Sequence, residues 1–424
     1  MDFIVSFLRI FWEILKNWWW LPLPFILYDR FTFFWNWYRV DKFDSQIEKI
    51  VLEVRIPRDI EKPIKAMEQV FLGIHGYHDV FNWKETWLEG EFLNSLSFEI
   101  VSTEGTVHFF IRCPAKARGL IESNIYAQYP GAEISLAEDY VKLVPKNTPN
   151  KDWDCFGLDM VVTKPNPYPI KTYDKIEDAR ETKEQKRIDP LAGLLDGMAT
   201  IGKGEHLWVQ MVAKPIRDEV PWMEEGKKII DDLVHRKKKD FRYKPMVMEA
   251  ADVLITGKPP SGPPEEKEEG FLPPEMKLTP GEREIVQAIE RKIGQFGYQV
   301  NIRFLYLGKK DVFFKAKARI PYGLFKTVST ENLNGLKPWP KTLPKIQWFF
   351  RQARTYVRKR EMFKRYIRRL PPLFPINFSA GTYVLASDEM ATIYHFPGRA
   401  AAPAPSVPRI EAKKTEAPRE LPSE

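Results

Sequence analysis

Six of the thirteen tryptophans, Trp12, Trp18, Trp19, Trp20, Trp35 and Trp37, fall within the first forty residues. A soluble core rarely concentrates indole rings this way, whereas the headgroup layer of a bilayer favours amphipathic rings. Between Phe3 and Lys16 only Ser6, Arg9, Glu13 and Lys16 are polar. At about 100° per residue they share roughly an 80° arc, the pattern of a helix lying in an interface or beside a partner helix. A crossing needs about 20 apolar residues. The run from Trp18 to Tyr28, which includes Phe25, is shorter and carries Pro22 and Pro24, and extending it meets Asp29 and Arg30. Residues 1–40 are therefore expected to be a membrane-associating helical segment, with Trp12, Trp18, Trp19, Trp20, Phe25, Trp35 and Trp37 against lipid. Spanning and lying flat both remain open at this point.

The remainder reads as α+β. Ile50, Leu52, Val54 and Ile56 alternate as a half-buried strand does, and Ile64, Met67, Val70, Phe71 and Ile74 follow with helical spacing. Leu96-Phe98-Ile100 and Val107-Phe109-Ile111 flank the hairpin signal Thr103-Glu104-Gly105. A helix from Ala115 to Tyr129 and a strand from Ile134 complete a β-α-β-β-α-β order over 48–143, the ferredoxin-like arrangement. A similar set is expected over 150–397. Its parts are a strand at Phe156–Val162, a helix after Asp189-Pro190, a strand through Leu207, Val209 and Met211, and a helix opened by the capping box Thr279–Glu282. Strands at Tyr298–Leu307 and Val312–Ile320 finish it. Two tandem ferredoxin-like modules are the predicted fold, the second interrupted by a flexible Pro/Gly/Glu-rich insertion at 256–276 and followed by a disordered Pro/Ala-rich tail at 398–424.

Catalytic and metal signatures are scarce. Gly202-Lys203-Gly204 and Gly308-Lys309-Lys310 lack the spacing and the hydroxyl residue of a phosphate loop. His75, His78 and Asp79 have no further nearby ligand and read as a polar loop more readily than as a metal site. Cys113 and Cys155, the two cysteines, imply no disulfide framework and suit a reducing compartment. No cofactor is expected. The net charge of +8 is modest, but it is concentrated in a helix expected at 346–369. That helix holds Arg351, Arg354, Arg358, Lys359, Arg360, Lys364, Arg365, Arg368 and Arg369 against the single acid Glu361, interleaved with Phe349, Phe350, Tyr356, Phe363 and Tyr366. Such a helix suits DNA phosphates, anionic lipid or an acidic partner, and equally a solvated basic helix packed through its aromatics.

Several strings resemble a bacterial family of unknown function that is itself similar to the N-terminal, non-motor region of type IV secretion and conjugative DNA-transfer ATPases. They are Val54-Arg55-Ile56-Pro57-Arg58, Lys62 to Glu68, Phe109 to Arg112, Glu122 to Pro130, Asn332-Leu333-Asn334 and Ser387 to Pro397. The resemblance implies a non-enzymatic platform at the cytoplasmic membrane, its globular part on the cytoplasmic side, serving a separate hexameric secretion or DNA-transfer ATPase. DNA and further copies of the chain are additional expected partners. A module binding DNA or anionic lipid through 351–369 is the second reading, and an unrecognised enzyme the third.

Overall fold

The computed structural model describes residues 23–57, 62–176, 189–217, 220–234, 278–347, 349–372 and 380–398, with Trp12, Glu13, Lys16, Asn17 and Trp20. The expected insertion at 256–276 and the tail beyond Gly398 lie outside these residues.

Helix α1 (Leu23–Gln46) leads into β1 (Lys49–Arg55). Then follow α2 (Lys65–Ile74), β2 (Leu96–Thr103), β3 (Thr106–Pro114), α3 (Arg118–Gln128) and β4 (Glu133–Ala137). The second half comprises β5 (Trp153–Val162), α4 (Ala192–Ala199), β6 (Glu205–Ile216), α5 (Trp222–Val234), α6 (Pro280–Ile293) and β7 (Gly297–Lys309). It continues through α7 (Pro321–Thr327), β8 (Leu336–Pro338), α8 (Arg351–Arg368), β9 (Tyr383–Ala386) and α9 (Ser387–Ile393).

All described strands join one antiparallel sheet of nine, in the order β4-β1-β3-β2-β6-β7-β5-β8, with β9 also paired to β7. This corrects the expectation of two tandem modules. The outer edge of β2, which would be bare in a free-standing module, pairs with β6 from Leu96↔Ala213 to Thr103↔His206. An unpaired edge of eight residues is a row of unsatisfied backbone groups, and the second half of the chain fills it. The order consequently reads the same from both ends, with β2 and β6 at the centre. Gly73 lets α2 and α3 meet on the first half, since a Cβ there would lie 1.7 Å from the Asn124 side-chain oxygen.

One face of the sheet carries the main core. Leu52, Phe98, Ile100, Ile111, Val209, Met211, Ile302 and Phe304 alternate onto it and meet Phe71, Ile121, Leu195 and Phe325 from the helices above. Burying each such side chain contributes about 1.5–3 kcal/mol. Helix α9 is buried along its whole length and Tyr394 just beyond it packs against Phe98, Phe109 and Phe396 at ring separations of 5.4, 5.9 and 5.9 Å. The opposite face holds a smaller cluster, in which Trp208, Leu305 and Leu307 meet Tyr140 and the Met362, Phe363 and Tyr366 side of α8.

Two further expectations are corrected. No helix among the described residues is long and apolar enough to cross a membrane. In α1 the reason is plain, because Asp29, Arg30, Arg39, Asp41, Lys42 and Asp44 are distributed along its 24 residues. The predicted strand Val312–Ile320 is instead a turn and a 3₁₀ segment, Lys315–Arg319, ahead of α7. There Lys315, Lys317 and Arg319 alternate with alanines, which offer too little apolar surface to hold a strand on a core.

Replacing Tyr394 with alanine is expected to cost about 3–5 kcal/mol, the range for losing a buried aromatic. Urea unfolding followed by circular dichroism measures it.

Candidate functional site

Two surfaces singled out by the sequence, the aromatic N-terminal helix and the basic helix, come together at an ion pair between Asp41 of α1 and Arg368 of α8 at 3.1 Å. Helix α1 is seated by positions four residues apart. The Trp35 ring N–H donates to the Trp87 carbonyl at 3.0 Å, and Phe43 meets Phe92 edge-on at 5.9 Å. Between them the Arg39 backbone runs against Gly90, whose φ is +74° and where a Cβ would come within 2.6 Å of it. Only glycine tolerates both conditions.

The neighbouring side of α1 is bare. Leu27, Phe31, Phe34 and Tyr38 are 51%, 62%, 60% and 56% exposed. At about 100° per residue the four fall within roughly a 60° arc; the exposed Arg30 and Lys42 lie about 40° and 20° beyond its two borders, and Asp41 lies about 20° beyond the border on the Arg30 side. The aromatic set expected at the membrane therefore divides. Trp12 and Trp20 are exposed, Trp35 is turned toward Trp87, and Trp37 is half-buried. Trp18 and Trp19, with the Phe25 side chain, lie outside the described residues.

The basic helix divides differently. Arg369, the residue after α8, has φ +55° and is 5% exposed. Its guanidinium spans Glu99, with Nε–Oε1 at 2.9 Å, and Asp139, with Nη1–Oδ2 at 2.8 Å. Burial by itself would raise the Glu99 carboxyl, but the Arg369 charge and hydrogen bonds outweigh it and hold the group below its ordinary range. Burial would likewise lower Arg369, and Glu99 reverses that. Lys359 pairs with Asp154 at 2.7 Å, Arg358 donates to the Leu343 carbonyl at 2.6 Å, and Arg365 is lowered by burial. Lys364 pairs with Glu361 at 3.1 Å. Arg360 reaches the Tyr356 hydroxyl at 3.2 Å. Arg351 and Arg354 at the start of the helix stand exposed. About half of the expected anion-binding set is thus engaged in holding α8 on the sheet.

Under α8 the sheet carries a polar row that periodicity did not reveal. Glu99, Gln210, Arg303 and Asp159 sit directly opposite one another on β2, β6, β7 and β5, and each is fully buried. Gln210 donates to Glu99 at 2.8 Å. Arg303 lies 3.1 Å from Asp159 while its Nε–H donates to Asn301 at 2.8 Å. The only sign in the sequence is a polar residue within an otherwise apolar stretch of each strand, since register across non-local strands cannot be read from local pattern.

A cleft of about 340 Å³ opens beside α6 and is lined by Ile170, Thr172, Lys175, Glu284, Arg291, Lys292 and Asp388 among others. Burial raises Asp388, Glu389 and Glu68. Their oxygens are occupied, however. Glu389 accepts from the Ala386 and Ile170 backbone at 2.7 and 2.6 Å and pairs with Lys292 at 2.9 Å. Asp388 accepts from the Glu389 backbone and from Gln295, and Glu68 from the Tyr173 hydroxyl. Asp388 and Glu389 are thus tied up at the start of α9, and Glu284, the other acid lining the cleft, pairs with Lys175 at 2.8 Å. His75 is buried, with Nε2 3.1 Å from the Ile216 carbonyl, and among the described residues no group of His, Cys, Asp and Glu has the makings of a metal site. Burial pushes both the Cys113 and Cys155 thiols up to about 12, the reverse of what activates a nucleophile.

Residues 39–371 match a family described as a domain of unknown function, DUF8128. The chain belongs to this family. No curated protein matches it. The match to DUF8128 spans eight of the nine strands and all of α8, and stops before β9 and α9. Nothing in it links the DUF8128 region to secretion or DNA-transfer ATPases.

Arg369→Gln is expected to lower the stability of the DUF8128 fold by about 3–5 kcal/mol, because it leaves Glu99 charged and buried without its partner. The joint replacement Glu99→Gln with Arg369→Met is expected to recover part of that loss, as urea unfolding would register. His206, buried between Trp153 and Trp208, is pushed down by burial from 6.5 to about 4. The unfolded chain then binds a proton that the folded one refuses, so stability falls as pH drops from 6.5 toward 4. His206→Gln is expected to flatten that part of a stability-against-pH curve measured by denaturant titration.

Proposed function

We propose that the chain is a non-enzymatic platform held flat on an anionic membrane surface by α1. The observation that carries this reading is the bare stripe Leu27, Phe31, Phe34 and Tyr38 with a cation on each border. Aromatic side chains favour headgroup depth, and Arg30 and Lys42 are placed to reach phosphates while the stripe enters the acyl boundary. Asp41, the acid nearest the stripe, is offset by Arg368. The 4-3-4 spacing of the stripe would also suit a coiled-coil seam. Seams of that kind prefer Leu, Ile and Val, and three of these four residues are Phe or Tyr. The partner seated on the platform, in this reading, is a separate secretion or DNA-transfer ATPase. Its support is the resemblance of the strings at 54–58, 62–68, 109–112, 122–130, 332–334 and 387–397.

Flotation of the full chain with mixed phosphatidylcholine and phosphatidylglycerol vesicles tests the membrane contact. The wild-type protein is expected to rise with the vesicles, and the Phe31→Ser/Phe34→Ser variant to bind at least about tenfold more weakly, given the transfer energy of two phenyl rings. Wild-type protein that stays with the pellet would sink the reading. So would a dimer by light scattering that the double variant converts to monomer without altering flotation. Affinity purification from solubilised membranes tests the partner, and recovery without any ATPase would remove it.

A further inference from the structure

The two Gly-Lys turns that fail as phosphate loops come together at one end of the sheet. The Lys309 backbone N–H donates to the Gly204 carbonyl at 3.0 Å, and Lys310 N–H donates to the Asp152 carbonyl at 2.8 Å. The turn entering β5, the turn entering β6 and the exit from β7 thereby form a single tip. Beneath it Glu205, 2% exposed, joins the turn entering β6 to β7 and to the loop that follows it. Its carboxylate accepts from the Tyr306 hydroxyl at 2.5 Å, from the Gly202 backbone at 2.9 Å and from the Lys317 ammonium. The Tyr306 hydroxyl in turn accepts from the Phe314 backbone at 3.0 Å. A buried charge is thus spent on fixing the loop 309–317 in place, and that loop presents Phe314 to solvent at 62% exposure with Val312 beside it at 41%.

Around Phe314 the exposed charges are mostly positive. Lys151, Lys203, Lys309, Lys310 and Lys315 are exposed, against Glu104, Asp152 and Asp311. Phe313 points the other way, packing on Tyr306 at 5.0 Å. Lys359 of α8 lies 5.7 Å over the Phe313 ring, so the surface runs on to α8, where Tyr356, 42% exposed, and the half-buried Arg360 are in contact. The result is a strip in which separated aromatic faces alternate with cations.

We propose that this strip binds single-stranded nucleic acid, with the lysines and Arg360 on phosphates and Phe314 and Tyr356 as stacking faces for unpaired bases. Alternation of aromatic and cation suits a chain whose bases and phosphates alternate. A bilayer would call for a contiguous apolar wedge. The tip is also remote from the place where α1 enters the sheet. Val51 is level with Asn301 through Arg112, Ser97 and Val212, which puts Lys49 level with Gln299 near the start of β7, and about ten residues of strand, or roughly 33 Å, separate that level from Lys309. The proposal does not depend on α1 meeting lipid.

Fluorescence anisotropy of the full chain with labelled oligothymidine across a salt series tests it. Wild-type protein is expected to bind at low salt, more tightly than to a duplex of equal length. Lys309→Glu/Lys310→Glu is expected to raise Kd at least about tenfold and to flatten the salt dependence. Phe314→Ala is expected to raise Kd several-fold at an unchanged salt slope, because stacking releases no counterions. Both changes are at exposed side chains, and thermal unfolding alongside confirms that the variants remain folded. Three outcomes would overturn the proposal. These are no binding at low salt, wild-type affinity in both variants, or loss of anionic-vesicle binding in the variants where oligothymidine is not bound at all.

Discussion

Everything in this molecule hangs on the antiparallel pairing of β2 with β6. Eight consecutive residue pairs, from Leu96↔Ala213 to Thr103↔His206, turn two half-sheets into one. Without that ladder each half would end on an open edge rich in β-branched and aromatic residues, a template for unwanted association. With it, the strands at the two ends of the order are β4 with five residues and β8 with three, β8 covering only Met160–Val162 of β5. The pairing also places Glu99 opposite Gln210, so the polar row on the far face exists only because the halves are joined.

That row explains why a helix so heavily charged can lie on a sheet. Helix α8 presents Met362, Phe363 and Tyr366 to the cluster around Trp208, and its end is fixed by Arg369 reaching Glu99 and Asp139. A buried ion pair of this kind contributes little net energy compared with an apolar equivalent, but it is costly to break. Its role is to select one position for α8 among the several that its aromatic side would accept. The membrane-surface and nucleic-acid readings use what this seating leaves open: the bare side of α1, and Tyr356 and Arg360 of α8 with the neighbouring lysine-rich tip.

Much of the fold was legible where information is local. Alternation marked β1, β2, β3 and β6, and the capping box at Thr279 located the start of α6, with both reciprocal bonds formed. What escaped was non-local. Nothing near Leu336 or Tyr383 distinguishes a three- or four-residue strand from a loop, because such strands exist only through partners more than eighty residues away. The same limit applied to the candidate site. Composition singled out the nine cations at 351–369, yet Arg369 is consumed by Glu99, 270 residues distant, and Lys359 by Asp154, 205 residues distant. Conversely, Lys203 and Lys309 looked like two failed motifs, because proximity between turns more than a hundred residues apart leaves no trace in either turn.

The seating of α1 has a mechanical consequence. The helix runs into β1 almost without a linker, Asp44 being paired with Lys49 at 2.5 Å, and β1 lies inside the sheet with β3 on one side and β4 on the other. A pull on α1 is therefore delivered along the axis of a strand held on both flanks. Ladder bonds run perpendicular to the strands, so such a load shears many of them together instead of unzipping them one after another. A molecule tugged by its N-terminal helix would yield at the Trp35 and Arg39 contacts first, and the sheet behind them would hold.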